Sequence, residues 1–172
     1  DTPLGNLIAD GMRQAMNSDF ALMNGGGIRQ DLKKGTITWG DLFNIQPFGN
    51  VLVRLEIKGR DLYDIIDAQI SPSYGPDYSI SGFAYTWDPK TNKTAAIFLE
   101  DGTPIDLDQT YTLTVNNFMA SASGSKYLPI SRLGKNPVTG PEDIEATVKF
   151  VKSFKEPIAY TAEGRIKKLA DD

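Results

Sequence analysis

The 172-residue chain contains no cysteine and no histidine. The first absence removes disulfides and thiolate chemistry; it fits an exported protein that avoids disulfides without fixing a redox compartment. The second removes Ser-His-Asp and Cys-His catalysis and every zinc site that depends on imidazole. Long apolar runs are missing too: none approaches the ~20 residues that cross a bilayer, so no transmembrane segment is expected. Positive charge is in the minority, with 18 Lys and Arg against 22 Asp and Glu and a net charge of −4. That balance argues against a general nucleic-acid binder, whereas a small phosphorylated ligand needs only a local cation or two. The acidic residues do not gather at metal-ligand spacing except for Asp171-Asp172 at the chain end, which reads as tail. No leader peptide is read at Asp1-Thr2-Pro3, which opens as a helix start; an export signal would belong to sequence outside this chain.

What is present fits one domain over residues 1–172, with 40% apolar and 23% charged residues. Leu4, Leu7, Ile8, Met12, Ala15 and Met16 fall on one helical face behind Thr2-Pro3. Phe20 to Met23 reads as a short buried strand, and 40–45 as one or two helical turns. Val51, Val53, Leu55 and Ile57 alternate as a strand, followed by an amphipathic helix over 59–70. Strands are expected at 80–87, 95–99 and 111–115, with turn chemistry between them. Residues 120–140, rich in Ser, Gly and Pro, read as irregular. A last helix starts at Gly140-Pro141 with Ile144, Val148 and Val151 inward, and 164–169 reads as a final strand. This order predicts an α+β fold with a mixed sheet and packed helices rather than a regular βαβ repeat.

Three places carry chemistry. Asn24-Gly25-Gly26-Gly27-Ile28-Arg29 offers a backbone that a ligand can approach closely, an amide on one side and a guanidinium on the other. It lacks the Lys-Ser/Thr of a phosphate loop and the spacing of a dinucleotide fingerprint. The triplet alone reads equally as a tight turn or an anion site. In Pro47-Phe48-Gly49, Phe48 either plugs a minor core or presents a ring for stacking, which is worth about 1–3 kcal/mol per base. Asn116-Asn117-Phe118 repeats that chemistry at a strand end, where sites usually sit. Two loop aromatics would make a clamp for one flat ring. Lys33-Lys34 reads as a solvated turn, Asp61, Asp64 and Asp67 as surface charge, and Ser121, Ser123 and Ser125 have no base partner for nucleophilic work.

Together these segments resemble the C-terminal domain of the 5′-nucleotidase family. The likeness is carried by Thr2 to Asp10, Asn24 to Arg29, Gly35 to Trp39, Pro47 to Asn50, Ile57 to Leu62, Ser81-Gly82 and Tyr111 to Leu113. The resemblance implies a substrate-binding domain. Its expected partners are a nucleotide or nucleoside and an N-terminal metallophosphoesterase domain of the same polypeptide, which would hold two divalent metal ions. It implies that Asn24 and Arg29 contact polar groups of the nucleotide, that Phe48 and Phe118 sandwich the base, and that Gly82 lies where the backbone closes on the ligand. Where the family has a Gly-Gly-Asp-Gly segment whose Asp binds the ribose hydroxyls, this chain has Ser121 to Lys126, with one residue more and no carboxylate. Ribose recognition is then altered or handed to Ser123, Ser125 or Lys126, with Asn117 beside them. A further substrate arginine of the family falls just before Asp1. No catalytic residue, metal ligand or cofactor is expected within these 172 residues, and the isolated domain is expected to be inactive. An extracellular, cell-surface or periplasmic location follows from the same resemblance. Alternatives are the substrate domain of a 2′,3′-cyclic-nucleotide phosphodiesterase with 3′-nucleotidase activity or of a UDP-sugar hydrolase, and a non-catalytic binding module. The Asn24-to-Arg29 segment leans toward the 5′-nucleotidase branch.

Overall fold

A computed structural model describes residues 1–170; Asp171-Asp172 lies outside the described residues. The first helix, α1 (Pro3–Met16), starts where Thr2 accepts the Gly5 N–H at 3.1 Å and Pro3 supplies a fixed φ. It stops at Asn17, which takes the left-handed conformation with φ 49°. The chain then enters β1 (Phe20–Met23), whose four residues are all buried. Period-2 geometry sends Phe20 and Leu22 to one face and Ala21 and Met23 to the other, so this strand belongs to two apolar clusters at once.

The remaining elements are α2 (Trp39–Ile45), β2 (Val51–Lys58), α3 (Gly59–Asp67), β3 (Ile70–Ser71), β4 (Gly75–Pro76), β5 (Ser79–Ser81), β6 (Phe83–Asp88), β7 (Lys93–Leu99) and β8 (Thr110–Asn116). They are followed by α4 (Asn117–Ser121), α5 (Leu128–Leu133), β9 (Lys135–Glu142), α6 (Asp143–Lys152) and β10 (Ile166–Lys168). The central sheet runs β5-β1-β8-β2-β9, with β1 parallel to β8 and every other neighbour antiparallel. One face is covered by α1, α2 and α6 through Ile8, Met12, Leu42, Ile45 and Ile144. The other packs on α3, α4, α5 and a second sheet, β10-β6-β7, through Leu62, Ile65, Met119, Ile130 and Tyr85. The predicted α+β class with a mixed sheet is therefore the observed one.

The differences are local. The helix expected over 59–70 ends at Asp67: the Gln69 N–H tightens to the Ile66 carbonyl, and its side chain accepts the Asp77 and Tyr78 N–H groups at 2.7 and 2.8 Å. Residues expected to be irregular form α5 and β9. The strand at β9 carries Pro137, Gly140 and a positive-φ Asn136 and is almost wholly exposed; such a strand is tolerated only at a sheet edge. The last helix therefore starts at Asp143 rather than at Gly140-Pro141. The expected strand over 80–87 is two, split at Gly82.

Residues after α6 return across α1 and are tied to it by polar contacts. Arg165 donates to both Asp10 carboxylate oxygens, at 2.7 and 3.0 Å, and the Tyr160 hydroxyl donates to Asp10 at 2.6 Å. Burial alone would raise the Asp10 pKa, but the bonds from Arg165, Tyr160 and Ser81 outweigh it and hold the carboxyl below its usual value.

Candidate functional site

Strand directions bring four segments to one end of the central sheet. β1 runs toward that end and delivers Asn24; β8, parallel to it, delivers Asn116 to Phe118. β2 and β5 run the other way, so the residues just before them, Pro47 to Asn50 and Asp77, arrive at the same end. The Val51 N–H donates to the Asn117 Oδ1 at 2.9 Å and stitches the Phe48 loop to α4.

Gly25–Gly27 form a 3-10 turn closed by Gly27 N–H to Asn24 O and Ile28 N–H to Gly25 O, each at 3.1 Å. Glycine is required by crowding. A Cβ at Gly25 would overlap the Asp77 carboxylate, and one at Gly27 would meet the Met23 methyl and the Asn24 amide. Gly26, in contrast, faces outward and is exposed. Asn24 is only 4% exposed, and its Oδ1 accepts from the Asn116 Nδ2 at 3.0 Å. Asn116 itself is fully buried and accepts the Met119 N–H at 2.8 Å, capping α4. The amide of Asn24 thus shapes the turn from beneath.

One cation bonds this turn directly and a second is linked to it through a carboxylate. Arg29 donates from Nη1 to the Gly26 carbonyl at 3.3 Å, and its guanidinium carbon stands 5.6 Å from the centre of the Phe48 ring. Among the described residues its guanidinium makes this one hydrogen bond, which leaves most of its five N–H donors for a ligand. On the other side, the Gly25 N–H donates to Asp77 at 3.0 Å, and the same carboxylate oxygen pairs with the Lys126 ammonium at 2.8 Å. Phe48 is 55% exposed and Phe118 47%, large values for aromatic rings. Phe118 stands edge-on to Tyr127 at 5.2 Å, and Tyr127 stacks on Tyr78 at 6.1 Å. Burial, with Tyr127 and Asp77 close by, raises the Tyr78 pKa far above its ordinary value. That phenol therefore stays protonated and donates to the Lys126 carbonyl at 3.0 Å. Exposed rings, an unsaturated guanidinium and an open glycine backbone suit a flat heteroaromatic ligand carrying negative charge.

Of the sequence-derived residues, the fold gathers Asn24, Arg29, Phe48, Asn117, Phe118 and Lys126 at this end. Ser123 and Ser125 are exposed on the loop between α4 and α5. Gly82 is not among them: β5 is antiparallel to β1, so Gly82 sits beside Asp19 at the opposite end of the sheet. Its φ of 93° and the Asp19 carbonyl oxygen, which any Cβ would overlap, assign it to the turn between β5 and β6. A hollow of about 790 Å³ lies there, around Asp10, Arg13, Glu100 and Arg165. Its two arginines are already paired, Arg165 with Asp10 and Arg13 with Glu100. Asp77 and Tyr127 were not singled out from sequence, and Asn116 was read only as part of Asn116-Asn117-Phe118. Asp77 follows an unremarkable Gly75-Pro76, and only the pairing of β5 with β1 brings it to the glycine turn.

A sequence model of the 5′-nucleotidase C-terminal domain matches residues 1–129. The chain belongs to the 5′-nucleotidase C-terminal domain family. The 5′-nucleotidase precursor of Thermus thermophilus superposes over 99% of this chain and 36% of its own, with a TM-score of 0.85 and 33% identity. Endonuclease YhcR of Bacillus subtilis (strain 168) is 75% identical over 97% of this chain and 14% of its own length. Cell wall protein Lmo0130 of Listeria monocytogenes is 32% identical over 96% of this chain and 23% of its own length. The chain thus spans a quarter or less of these two relatives.

Proposed function

We propose that this 5′-nucleotidase C-terminal domain binds a nucleoside 5′-phosphate as the recognition part of a phosphoric-ester hydrolase. The base lies against Phe48 and Phe118, Gly26 gives its backbone to close contact, and Arg29 meets the phosphate charge. The observation that carries this reading is the pair of half-exposed rings on adjacent segments flanking a glycine turn that already holds a guanidinium. A net charge of −4 favours a mononucleotide over a long polyanion.

Hydrolysis is assigned to an N-terminal metallophosphoesterase domain of the same polypeptide. The two divalent ions proposed for it do not fit this chain, which has no His or Cys, and among the described residues no three Asp or Glu converge on a metal position. The role of the present residues is to bind and orient the nucleotide. A location outside the cytoplasm, at the cell surface or in the periplasm, agrees with the cell-wall relative; among the described residues no helix is long and apolar enough to cross a membrane.

Calorimetric titration of the purified chain with adenosine, AMP and ribose 5-phosphate tests the site. Adenosine should bind, AMP more tightly, and the sugar phosphate weakly, because stacking on two rings supplies most of the affinity. Phe48→Ala should weaken adenosine roughly tenfold, the scale of one stacked base. An unchanged dissociation constant would remove Phe48 from the site.

A further inference from the structure

We propose that Lys126 and Tyr74 form a second subsite, which takes a phosphate on the ribose hydroxyls and the nucleoside beyond it. The inference rests on the reading of the Phe48–Phe118 site above. Arg29 grips the glycine turn at Gly26 O from the Phe48 side, and Lys126 reaches the same turn through Asp77 from the Phe118 side. A ligand lying across that turn meets one cation at each of its ends. A nucleoside 5′-monophosphate uses only one.

The loop from Ser121 to Lys126 offers hydroxyls and an ammonium and no carboxylate. Asp77 is the nearest acid that pairs with Lys126, and its Oδ2 is shared between the Lys126 ammonium and the Gly25 N–H. That contact engages one of the three ammonium protons and fixes the head group in place. The Nζ also stands 5.7 Å from the centre of the Tyr127 ring, beside Phe118. Behind Lys126 lies a hollow of about 410 Å³, bordered by Gln69, Pro72, Tyr74, Gly75 and Asp77. Tyr74 is 92% exposed there, held by a loop whose N–H groups bond the Ser71 hydroxyl. The hollow has room for a group that continues past a second phosphate, and Tyr74 offers a ring for it to stack on.

The test titrates the chain with AMP, adenosine 3′,5′-bisphosphate and the 5′-phosphorylated dinucleotide pApA. The bisphosphate should bind about fivefold tighter than AMP, the scale of one exposed ion pair, and the dinucleotide tighter still. Lys126→Met should bring the bisphosphate down to the affinity of AMP, and Lys126→Arg should keep the preference. Tyr74→Ala should reduce the dinucleotide to the level of the bisphosphate and leave the bisphosphate unchanged. Equal binding of AMP and bisphosphate by the wild-type chain, or a preference that survives Lys126→Met, overturns the role of Lys126. A dinucleotide no tighter than the bisphosphate overturns that of Tyr74, pointing to free bisphosphates as the ligand class. A chain that binds neither adenosine nor AMP would fail earlier, at the aromatic site itself.

Discussion

Asn116 is the residue whose loss should separate the shape of the site from its contacts. Its side chain is fully buried: Nδ2 donates to Asn24 Oδ1 at 3.0 Å and weakly to the Met23 sulfur at 3.8 Å, and Oδ1 accepts the Met119 N–H at 2.8 Å. Asn116→Ala removes all of these bonds and leaves Asn24 Oδ1 and the Met119 N–H without them. Loss of a helix cap costs about 0.5–2 kcal/mol, and a buried acceptor left without a donor about 1–3 kcal/mol. The expected destabilisation is thus about 1.5–5 kcal/mol, a large fraction of the roughly 5–15 kcal/mol that holds a domain together. Urea unfolding followed by Trp39 and Trp87 fluorescence measures it. Asn116→Asp keeps the oxygen that caps α4 but sets a second oxygen against Asn24 Oδ1, so it should lose less stability while still loosening the glycine turn. Both variants should bind adenosine more weakly under conditions where they are folded, although neither residue faces solvent. A change below about 0.5 kcal/mol in Asn116→Ala, or wild-type adenosine affinity in both variants, would refute the view that this amide pair shapes the turn.

Arg29→Met should bring AMP affinity down to that of adenosine while adenosine itself changes less than about twofold; equal losses for both ligands, measured by calorimetry, would remove the phosphate role. Asp143 sits buried at the start of α6, and its burial pushes the carboxyl pKa up to about 6. A raised acid stabilises the fold when protonated, and that contribution fades as pH rises from its unfolded value of 3.8 through about 6. Asn at this position should therefore stabilise the domain at pH 7.5 by roughly 1–3 kcal/mol and change little at pH 4, read from unfolding curves; a gain of equal size at both values would contradict it. Asp10 has the opposite sign. Its lowered pKa adds stability that is present above pH 3.8 and lost as pH falls further. Arg165→Met should accordingly cost about 1–3 kcal/mol near pH 7, because the partly buried Asp10 carboxylate keeps only Tyr160 and Ser81, and much less near pH 3; a pH-independent loss would mean that Arg165 acts only through packing.

Elements that bury an apolar face were legible in the sequence, because burial leaves a period. Leu7, Ile8, Met12 and Met16 announce α1, and Val53, Leu55 and Ile57 announce β2; all of them are buried in the fold. β9 leaves no such trace. It is exposed along nearly its whole length and exists because β2 offers it backbone partners, so its Pro137 and Gly140 read as loop. The helix α5 is six residues long, too short for a periodic signal. The end of α3 was hidden for another reason: Gln69 acts on Asp77 and Tyr78 across a hairpin, and no local pattern records that bond.

The site shows the same division more sharply. Phe48 lies between Pro47 and Gly49, and Phe118 at a strand end beside a Ser-rich loop, so their exposure could be argued from neighbours alone. Gly82 could not be placed in this way. A glycine in Ser81-Gly82 is chemically suited to approach a ligand, yet which end of the sheet it reaches depends on the direction of β5 against β1, and that pairing spans some sixty residues of chain. The same pairing that carries Gly82 away from the aromatic rings brings Asp77 to the glycine turn. One antiparallel register therefore decides both outcomes, and it also determines that Lys126 is held against the glycine turn rather than left free on its loop.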